Sequence, residues 1–348
     1  MNFYSDNTAP ACPEILAAIA AANTGAAKGY GEDAWTLRLN GVFTDYFGTP
    51  VAVFPVATGT AANALSLATL TPPHGGVFCH RDAHIVRDEC GAPEFFGAGL
   101  RLLLLDGAGA KFSPAALSEA LDDNPASVHT VQPSAVSLTQ ATELGRVYSP
   151  AEIHSIADVA HANRLRVHMD GARFANAVAH LGCHPGDVTW RAGVDVLSFG
   201  ATKNGALTAE AVVFFDQELV RDFEFRRKRS GHLLSKSRFV ATQLLAYVET
   251  GVWLRNARHA NALAQRIAQA SGPLLVDPVE GNQVFVRLGE AGVAALRTAG
   301  FGFYDWGAAR SGVARFVVSW DATALDVERL CAAITAQVPA TIRNRASR

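Results

Sequence analysis

Two short stretches decide the fold of this chain: HMDGAR at residues 168–173 and SFGATKNG at residues 198–205. Asp170 ends an apolar run with the pattern of a buried strand, and Lys203 follows a second such run among small residues. A pyridoxal phosphate enzyme needs a lysine amine that forms a Schiff base with the cofactor aldehyde, and a carboxylate against the pyridine nitrogen. Small neighbours around the lysine leave room for a flat ring and a phosphate. The pair therefore predicts a pyridoxal phosphate site.

Composition narrows the class of protein. Hydrophobic residues make up 49% of the 348 residues, enough for a large core and more than one domain, and the formal net charge is -2. A charge near zero argues against nucleic acid or anionic membrane as partner, and no apolar run approaches the length of a bilayer span. The five cysteines are scattered without a C-x-x-C pair, and the N-terminus has no signal-peptide pattern. We expect reduced thiols, no metal site and a cytoplasmic protein.

Between about residues 50 and 215, short apolar runs alternate with amphipathic segments. The runs predict strands at Val51–Val56, Val77–His80, Leu100–Leu105, Val128–Gln132, Arg166–Met169, Val194–Ser198 and Ala211–Phe215. The segments between them predict helices at Ala61–Leu70, Pro114–Leu121, Pro150–Asn163 and Ala172–Leu181. Such alternation predicts an α/β fold with a mostly parallel central sheet covered on both faces.

The pattern changes near residue 251. After helical segments at Gln217–Arg229 and Lys236–Thr250 come a long helix at Leu254–Ala270, strands near Val284–Leu288 and Arg315–Ser319, and a closing helix at Ala324–Ala336. We therefore expect a large cofactor-binding domain at residues 1–250, which includes the N-terminal segment. A smaller α+β domain is expected at residues 251–348.

Other residues supply the remaining parts of such a site. Gly59 and Thr60 open a helix after a strand, where free backbone amides suit a phosphate monoester, although such turns are usually only caps. His84 follows another strand and could stack on the ring or relay a proton; the alternative is a capping or core histidine. Arg173 and Arg315 could each clamp a substrate carboxylate. The alternative for Arg173 is a surface arginine paired with Asp170. The alternative for Arg315 is a solvated arginine at the edge of a strand.

Taken together, the chain resembles the low-specificity threonine aldolases, including the phenylserine aldolase branch, within the aspartate-aminotransferase-like pyridoxal phosphate fold. The resemblance rests on six motifs in order: YSDNT (4–8), GYGED (29–33), TGTAAN (58–63), DAHI (82–85), DGAR (170–173) and TKNG (202–205). It implies cleavage of L-threonine, L-allo-threonine or L-phenylserine to glycine and an aldehyde. It also implies a homodimer or homotetramer with active sites at the subunit interface.

The resemblance assigns roles to ten residues. It implies Lys203, His84 and Asp170 as catalytic residues, and Gly59, Thr60, His84, Asp170, Arg173, Lys203 and Lys228 as cofactor-binding residues. It implies Ser5, Tyr30, Arg173 and Arg315 as substrate-binding residues. Tyr30 and the basic run around Lys228 are expected near a subunit interface.

Two differences from the family pattern leave the base for the substrate hydroxyl undetermined. The segment 137–145, SLTQATELG, lacks the histidine that many threonine aldolases place near the substrate hydroxyl, and the loop 230–236 is also different. Candidate hydroxyl bases are His84, a bound water or a group from the partner chain. The alternatives on the same fold are a β-eliminating lyase and an aminotransferase. A dinucleotide-binding protein would use Thr58-Gly59-Thr60 as its phosphate turn, but no G-x-G-x-x-G run follows the first strand.

Overall fold

The computed structural model describes residues 1–308 and 311–337. Its strands are β1 Ala52–Val56, β2 Gly75–His80, β3 Arg101–Leu105, β4 Gln132–Thr139, β5 Arg166–Gly171, β6 Val196–Gly200, β7 Glu210–Phe214, β8 Gln283–Arg287, β9 Tyr304–Asp305 and β10 Val313–Val317. Its helices are α1 Pro13–Ala22, α2 Ala34–Phe47, α3 Gly59–Leu70, α4 His84–Arg87, α5 Ala92–Phe96, α6 Pro114–Asp122, α7 Pro150–Ala162, α8 Phe174–Leu181, α9 Val220–Arg229, α10 Arg238–Glu249, α11 Val252–Ser271, α12 Gly289–Thr298 and α13 Ala324–Gln337. None of the helices described is both long and apolar enough to cross a bilayer.

The first seven strands form one sheet in the order β1-β7-β6-β5-β4-β2-β3. The pairings from β3 through β2, β4 and β5 to β6 are all parallel, and β7 is antiparallel to both β6 and β1. The predicted mostly parallel α/β sheet is therefore confirmed. In register, Thr139 lies opposite Asp170 and Asp170 lies opposite Ser198, so β4, β5 and β6 end at one edge. In open α/β sheets, ligands bind at this edge.

Two glycines let the ends of β5 and β6 pack closely. A Cβ on Gly171 would lie 2.7 Å from the Ser198 carbonyl oxygen, and a Cβ on Gly200 would lie 2.7 Å from the carbonyl oxygen of Ala172. Real Cβ atoms do not approach backbone this closely, so both positions require glycine. This packing fixes the two loops that carry Asp170 and Lys203.

A buried histidine ties the three central strands together one layer below the edge. His168 Nδ1 lies 2.9 Å from the Ser137 hydroxyl, and its Nε2 lies 2.9 Å from the Ser198 hydroxyl. Burial lowers the pKa of His168 to about 4, so the ring is neutral at physiological pH. His168 therefore acts as a neutral cross-link inside the sheet.

The second sheet is small and antiparallel, in the order β8-β10-β9. Its core includes residues of α11, α12 and α13, and Phe3 from the N-terminal segment packs into the same core. The backbone N–H of Val317 donates to the Phe3 carbonyl at 3.0 Å. The first residues of the chain thus reach the small sheet, and the segment that follows them passes the edge of the large one.

One predicted strand was wrong. Of the predicted strand Val128–Gln132, only Gln132 is in a strand, and Val128 is 98% exposed. The strand begins at Gln132 and runs to Thr139. A proline such as Pro133 usually marks the end of a strand. Here Pro133 lies within β4, at a position where β4 pairs only with β2, since pairing with β5 starts at Ala135. Proline lacks the N–H that a central strand must donate, so it is tolerated only at such an end.

Candidate functional site

The shared edge of β4, β5 and β6 opens onto a cavity of about 330 Å³. Five residues predicted from the sequence line it together: Gly59, Thr60, His84, Asp170 and Lys203. They come from four separate parts of the chain, which the sheet brings to one place. Ser5, Tyr30, Arg173, Lys228 and Arg315 are not among the residues that line this cavity.

Lys203 lies on a short 3-10 turn directly after β6. Asn204 anchors the turn, because its amide donates to the Tyr247 hydroxyl at 2.6 Å and to the Trp253 carbonyl at 2.8 Å. Among residues 1–308 and 311–337, no hydrogen bond or ion pair engages the amine of Lys203. Burial lowers the pKa of Lys203, and the charge of Arg173 lowers it further. A larger share of the amine is therefore neutral and nucleophilic at neutral pH.

Asp170 faces Lys203 from the end of β5 and is 3% exposed. Its Oδ1 accepts a hydrogen bond from the Ala172 backbone N–H at 3.0 Å, and its Oδ2 accepts one from the Asn63 amide at 2.9 Å. A carboxylate has about four lone-pair positions, so Asp170 keeps acceptor capacity for a third donor. Asn63, on α3, is the residue that orients this carboxylate.

His84 begins α4 and is held at two points. Its Nδ1 lies 2.8 Å from Oε1 of the buried Glu89, and its backbone N–H donates to Glu143 at 2.8 Å. The hydrogen bond to Glu89 raises the pKa of His84, whereas burial raises that of Glu143 to about 7. Asn63 also donates to Glu89 at 2.8 Å, so one amide links the partner of His84 to Asp170. With Nδ1 engaged, Nε2 is the nitrogen left for a ligand in the cavity.

The start of α3 forms the opposite end of the cavity. The Thr58 hydroxyl caps the helix by accepting from the Ala61 backbone N–H at 3.1 Å. No described group accepts a hydrogen bond from the backbone N–H of Gly59 or Thr60. Free N–H groups at a helix start, together with the helix dipole, favour an anion.

A buried carboxyl lies beside this anion site. Glu210, the first residue of β7, is 7% exposed and lines the cavity. Its Oε1 accepts from the Thr202 backbone N–H at 3.2 Å, and its Oε2 would lie 3.9 Å from a Cβ on Gly59. Burial raises the pKa of Glu210 to about 7.

Arg173 is paired with Asp6 of the N-terminal segment and not with Asp170. Its Nε and Nη2 donate to the two oxygens of Asp6 at 2.8 and 2.9 Å, and Asn282 donates to the same carboxylate at 3.0 Å. Burial alone would raise the pKa of Asp6, but the charges of Arg173 and Lys203 and these hydrogen bonds bring it down to about 2. Asp6 is therefore an anion over the physiological pH range.

Arg315 and Ser5 lie around this pair. Arg315, on β10, donates through Nη2 to the Gln283 side-chain oxygen at 2.8 Å. Burial lowers the pKa of Arg315 to about 10, and the charge of Arg173 contributes, which puts the two guanidinium groups within electrostatic reach. The Ser5 hydroxyl accepts from the Asn7 backbone N–H at 3.2 Å, and Asn7 lines the cavity. These residues form one border of the site.

Tyr30 and Lys228 lie outside that border. Tyr30 is 54% exposed, and the Lys228 amine lies 4.4 Å from the centroid of its ring. A turn fixes Tyr30, whose backbone N–H donates to the Ser235 carbonyl at 3.0 Å. The two residues are neighbours at the surface of this chain.

Sequence reasoning missed four polar residues of the site. Asn63 and Asp6 lay inside quoted motifs without an assigned role, although buried amides and carboxylates in such motifs signal a network. Glu89 lies five residues after His84, a separation over which a short helix can bring the two side chains into contact. Glu210 carried no signal, because a single glutamate at the start of an apolar run looks like a solvated strand end.

Comparisons with known proteins identify the family and the fold. A model of the family described as beta-eliminating lyase matches residues 2–291. A low specificity L-threonine aldolase of Pseudomonas sp. is 44% identical over 342 residues, covering 97% of this chain and 98% of that protein. Its counterpart in Pseudomonas aeruginosa is 45% identical over 332 residues and 94% of each chain. The solved threonine aldolase of Leishmania major superposes with a TM-score of 0.91 at 24% identity, covering 97% and 99% of the two chains.

Proposed function

The chain belongs to the beta-eliminating lyase family and, within it, to the low-specificity L-threonine aldolases, and we propose that it is a pyridoxal phosphate-dependent aldolase. Its reaction is cleavage of the Cα–Cβ bond of L-threonine, L-allo-threonine or L-phenylserine to give glycine and an aldehyde. The observation that carries this proposal is the cavity in which a partly buried lysine, unpaired among the described residues, faces a buried carboxylate, with free helix amides at the far end.

The residues present fit this cofactor. Within 4 Å, a Cβ on Gly59 would meet only Glu210 Oε2, so the space above the helix start is open. Asn63 Oδ1 is buried without a partner among the described residues. Pyridoxal phosphate, when bound, supplies an aldehyde for the lysine and a ring that accepts the electrons of the broken bond.

Lys203 would hold the cofactor through its amine, and its lowered pKa leaves more of that amine neutral and nucleophilic. Asp170, oriented by Asn63 and the Ala172 N–H, would use its remaining acceptor capacity to keep the ring nitrogen protonated. Gly59 and Thr60 donate backbone N–H groups to the phosphate.

Arg173, Arg315 and Ser5 orient the substrate carboxylate. Asp6 already takes Nε and one hydrogen of Nη2 on Arg173, so Nη1 and the other Nη2 hydrogen remain for a ligand. Gln283 engages the corresponding edge of Arg315. Two cations with fixed planes would hold the carboxylate in one orientation beside the cofactor.

His84 is the residue we propose as base for the substrate hydroxyl. Glu89 engages Nδ1 and fixes the ring, so Nε2 faces the ligand and accepts the proton as the aldehyde forms. The protonated ring is stabilised by the buried carboxylate behind it. This arrangement needs no second histidine in the segment 137–145.

We also propose a cytoplasmic homodimer or homotetramer whose sites lie at subunit interfaces, with domains at residues 1–250 and 251–348. Of the second range, residues 309–310 and 338–348 lie outside the described part. Large apolar side chains on the surface support an interface: Phe95 is 78% exposed, Phe225 74% and Tyr30 54%. In such an assembly Tyr30 and Lys228 would reach the substrate and the phosphate of a neighbouring subunit. Mass measurement in solution tests the assembly.

Product analysis tests the function. The purified protein, loaded with pyridoxal phosphate, is incubated with L-threonine and with L-phenylserine, and glycine and aldehyde are both measured. Equimolar release of the two is expected, and it should vanish in Lys203→Ala but persist in Lys28→Ala, which removes an exposed lysine paired only with Glu32 among the described residues. Loaded protein that releases no aldehyde from either substrate would refute the proposal.

The family description favours one second candidate, β-elimination. Elimination from L-serine gives pyruvate and ammonia, so the same assay with L-serine separates the two reactions. Pyruvate without aldehyde or glycine from any β-hydroxy amino acid would replace the aldolase by a β-eliminating lyase.

A further inference from the structure

A buried glutamate faces the place where the proposed function puts a phosphate. Glu210 is 7% exposed, and its Oε1 is engaged by the Thr202 N–H at 3.2 Å. Its Oε2 lies 3.9 Å from a Cβ built on Gly59 and, apart from neighbouring residues and the helix's own backbone, is the only described atom within 4 Å of that Cβ. Oε2 is therefore directed at the start of α3, beside the free N–H groups of Gly59 and Thr60.

The charged and titratable groups around Glu210 do not supply a fixed counter-ion. The positive charge of Lys203 is near enough to influence Glu210, yet no ion pair joins the two in the part of the chain that the structure describes. Asp170 contributes a second negative charge, and the Tyr247 hydroxyl, whose own pKa burial raises, is neutral. Burial then raises the pKa of Glu210 to about 7. The carboxyl group is therefore poised between its two protonation states before any ligand arrives.

Two anions side by side in a buried pocket cannot both keep their full charge. A phosphate monoester at Gly59 and Thr60 would lie close to Glu210 Oε2. The arrangement of lowest free energy has a proton on Glu210, because a protonated carboxyl donates a hydrogen bond to a phosphate oxygen, whereas a carboxylate repels it.

We propose that Glu210 is a proton-carrying ligand of the cofactor phosphate, so that cofactor binding takes up as much as one proton from solvent at this residue, according to how much of Glu210 is ionised beforehand. The inference rests on the proposed function, since that function places the phosphate at the start of α3. The direction of the pH dependence of cofactor affinity follows from linkage. A group whose pKa is higher in the complex strengthens binding at low pH and weakens it as pH rises.

The test uses the full-length protein stripped of cofactor and titrated by calorimetry between about pH 6 and 9, the range around the raised pKa. Pyridoxine 5'-phosphate serves as the probe because it carries the ring and the phosphate but has no aldehyde for Lys203. Wild type is compared with Glu210→Gln, which cannot ionise, and with Glu280→Gln. Glu280 is the control, because it is a partly buried carboxyl that pairs with Arg146 at 2.8 Å and does not line the cavity.

The ratio of wild-type to Glu210→Gln affinity cancels the ionisation of the probe itself. We expect this ratio to fall with rising pH by up to about tenfold per pH unit, as for one linked proton. Glu280→Gln should follow wild type, and pyridoxine without phosphate should give a flat ratio.

A flat ratio with pyridoxine 5'-phosphate would overturn the inference. So would a pH dependence that Glu280→Gln removes and Glu210→Gln leaves. Both results differ from failure of the proposed function, which would appear as a wild-type protein that binds no pyridoxal phosphate or releases no aldehyde.

Discussion

Replacement of Asp6 by asparagine should destabilise the protein through the loss of one buried charge. Asp6 accepts both donors of Arg173 at 2.8 and 2.9 Å, and its side chain is 1% exposed, so solvent does not screen the pair. Its pKa lies at about 2 instead of 3.8, a difference that corresponds to about 2 kcal/mol of folding free energy. The substitution keeps the shape of the side chain and removes the charge.

The contribution of Asp6 to the free energy of unfolding depends on pH. The folded-state pKa is depressed, so this contribution is present above pH 3.8 and is lost as pH falls from 3.8 towards 2. Urea unfolding of the cofactor-loaded protein, at one protein concentration, should show Asp6→Asn less stable by about 2 kcal/mol near neutral pH. The gap should begin to close below about pH 4.

Asp305→Asn is the matched control. Asp305 pairs with Arg297 at 3.0 Å, but both side chains are nearly half exposed, so the expected change is within about 1 kcal/mol. Equal effects of the two substitutions would refute the argument from burial. A gap for Asp6→Asn that stays constant down to about pH 3 would refute the argument from charge.

Three further predictions concern the site and its frame. Glu89→Gln should lower the pKa of His84 and move the acid limb of the pH–rate profile to lower pH. Asp82→Asn, which changes a carboxylate of the same loop that is paired with Arg87, should leave the limb in place. If Glu89→Gln does not move the limb, His84 is not the titrating base. Asp170→Ala should reduce turnover about a hundredfold or more while the cofactor still binds through the start of α3, and wild-type turnover would contradict its role. Gly200→Ala should lower the free energy of unfolding by about 1–3 kcal/mol, because its Cβ would lie 2.7 Å from the Ala172 carbonyl. Gly41→Ala on α2, where a Cβ meets nothing within 4 Å, should instead stabilise by about 0.5–1 kcal/mol; the opposite order in thermal unfolding would contradict the packing argument.

Much of the fold could be predicted from periodicity. Strands such as Arg166–Met169 and Val194–Ser198 are apolar runs bounded by turn residues, and the structure has strands there within a few residues. The error at β4 has a physical cause, since Gln132-Pro133-Ser134 has the composition of a turn and becomes strand only by pairing with β2. The direction of β7 could not be read either, because strand direction depends on the connection and leaves no mark on the residues.

The site was predictable where chemistry demands a rare residue in a fixed local setting. Lys203, Asp170 and Gly59 are of this kind, and they line one cavity. Asp6, Glu89 and Glu210 are common acidic residues, and only the fold shows that they are buried. Arg173 illustrates the same limit, because its partner Asp6 lies far away in sequence and near the start of the chain.

The most direct test of the central claim is to locate the lysine that carries the cofactor. The protein loaded with pyridoxal phosphate is reduced with borohydride, digested and mapped by mass spectrometry. Only five lysines are present in the chain, so the modified position can be assigned without ambiguity. We expect a pyridoxyl group on Lys203 alone and none in Lys203→Ala. Modification at another lysine, or none at Lys203 in protein that has bound the cofactor, would contradict it.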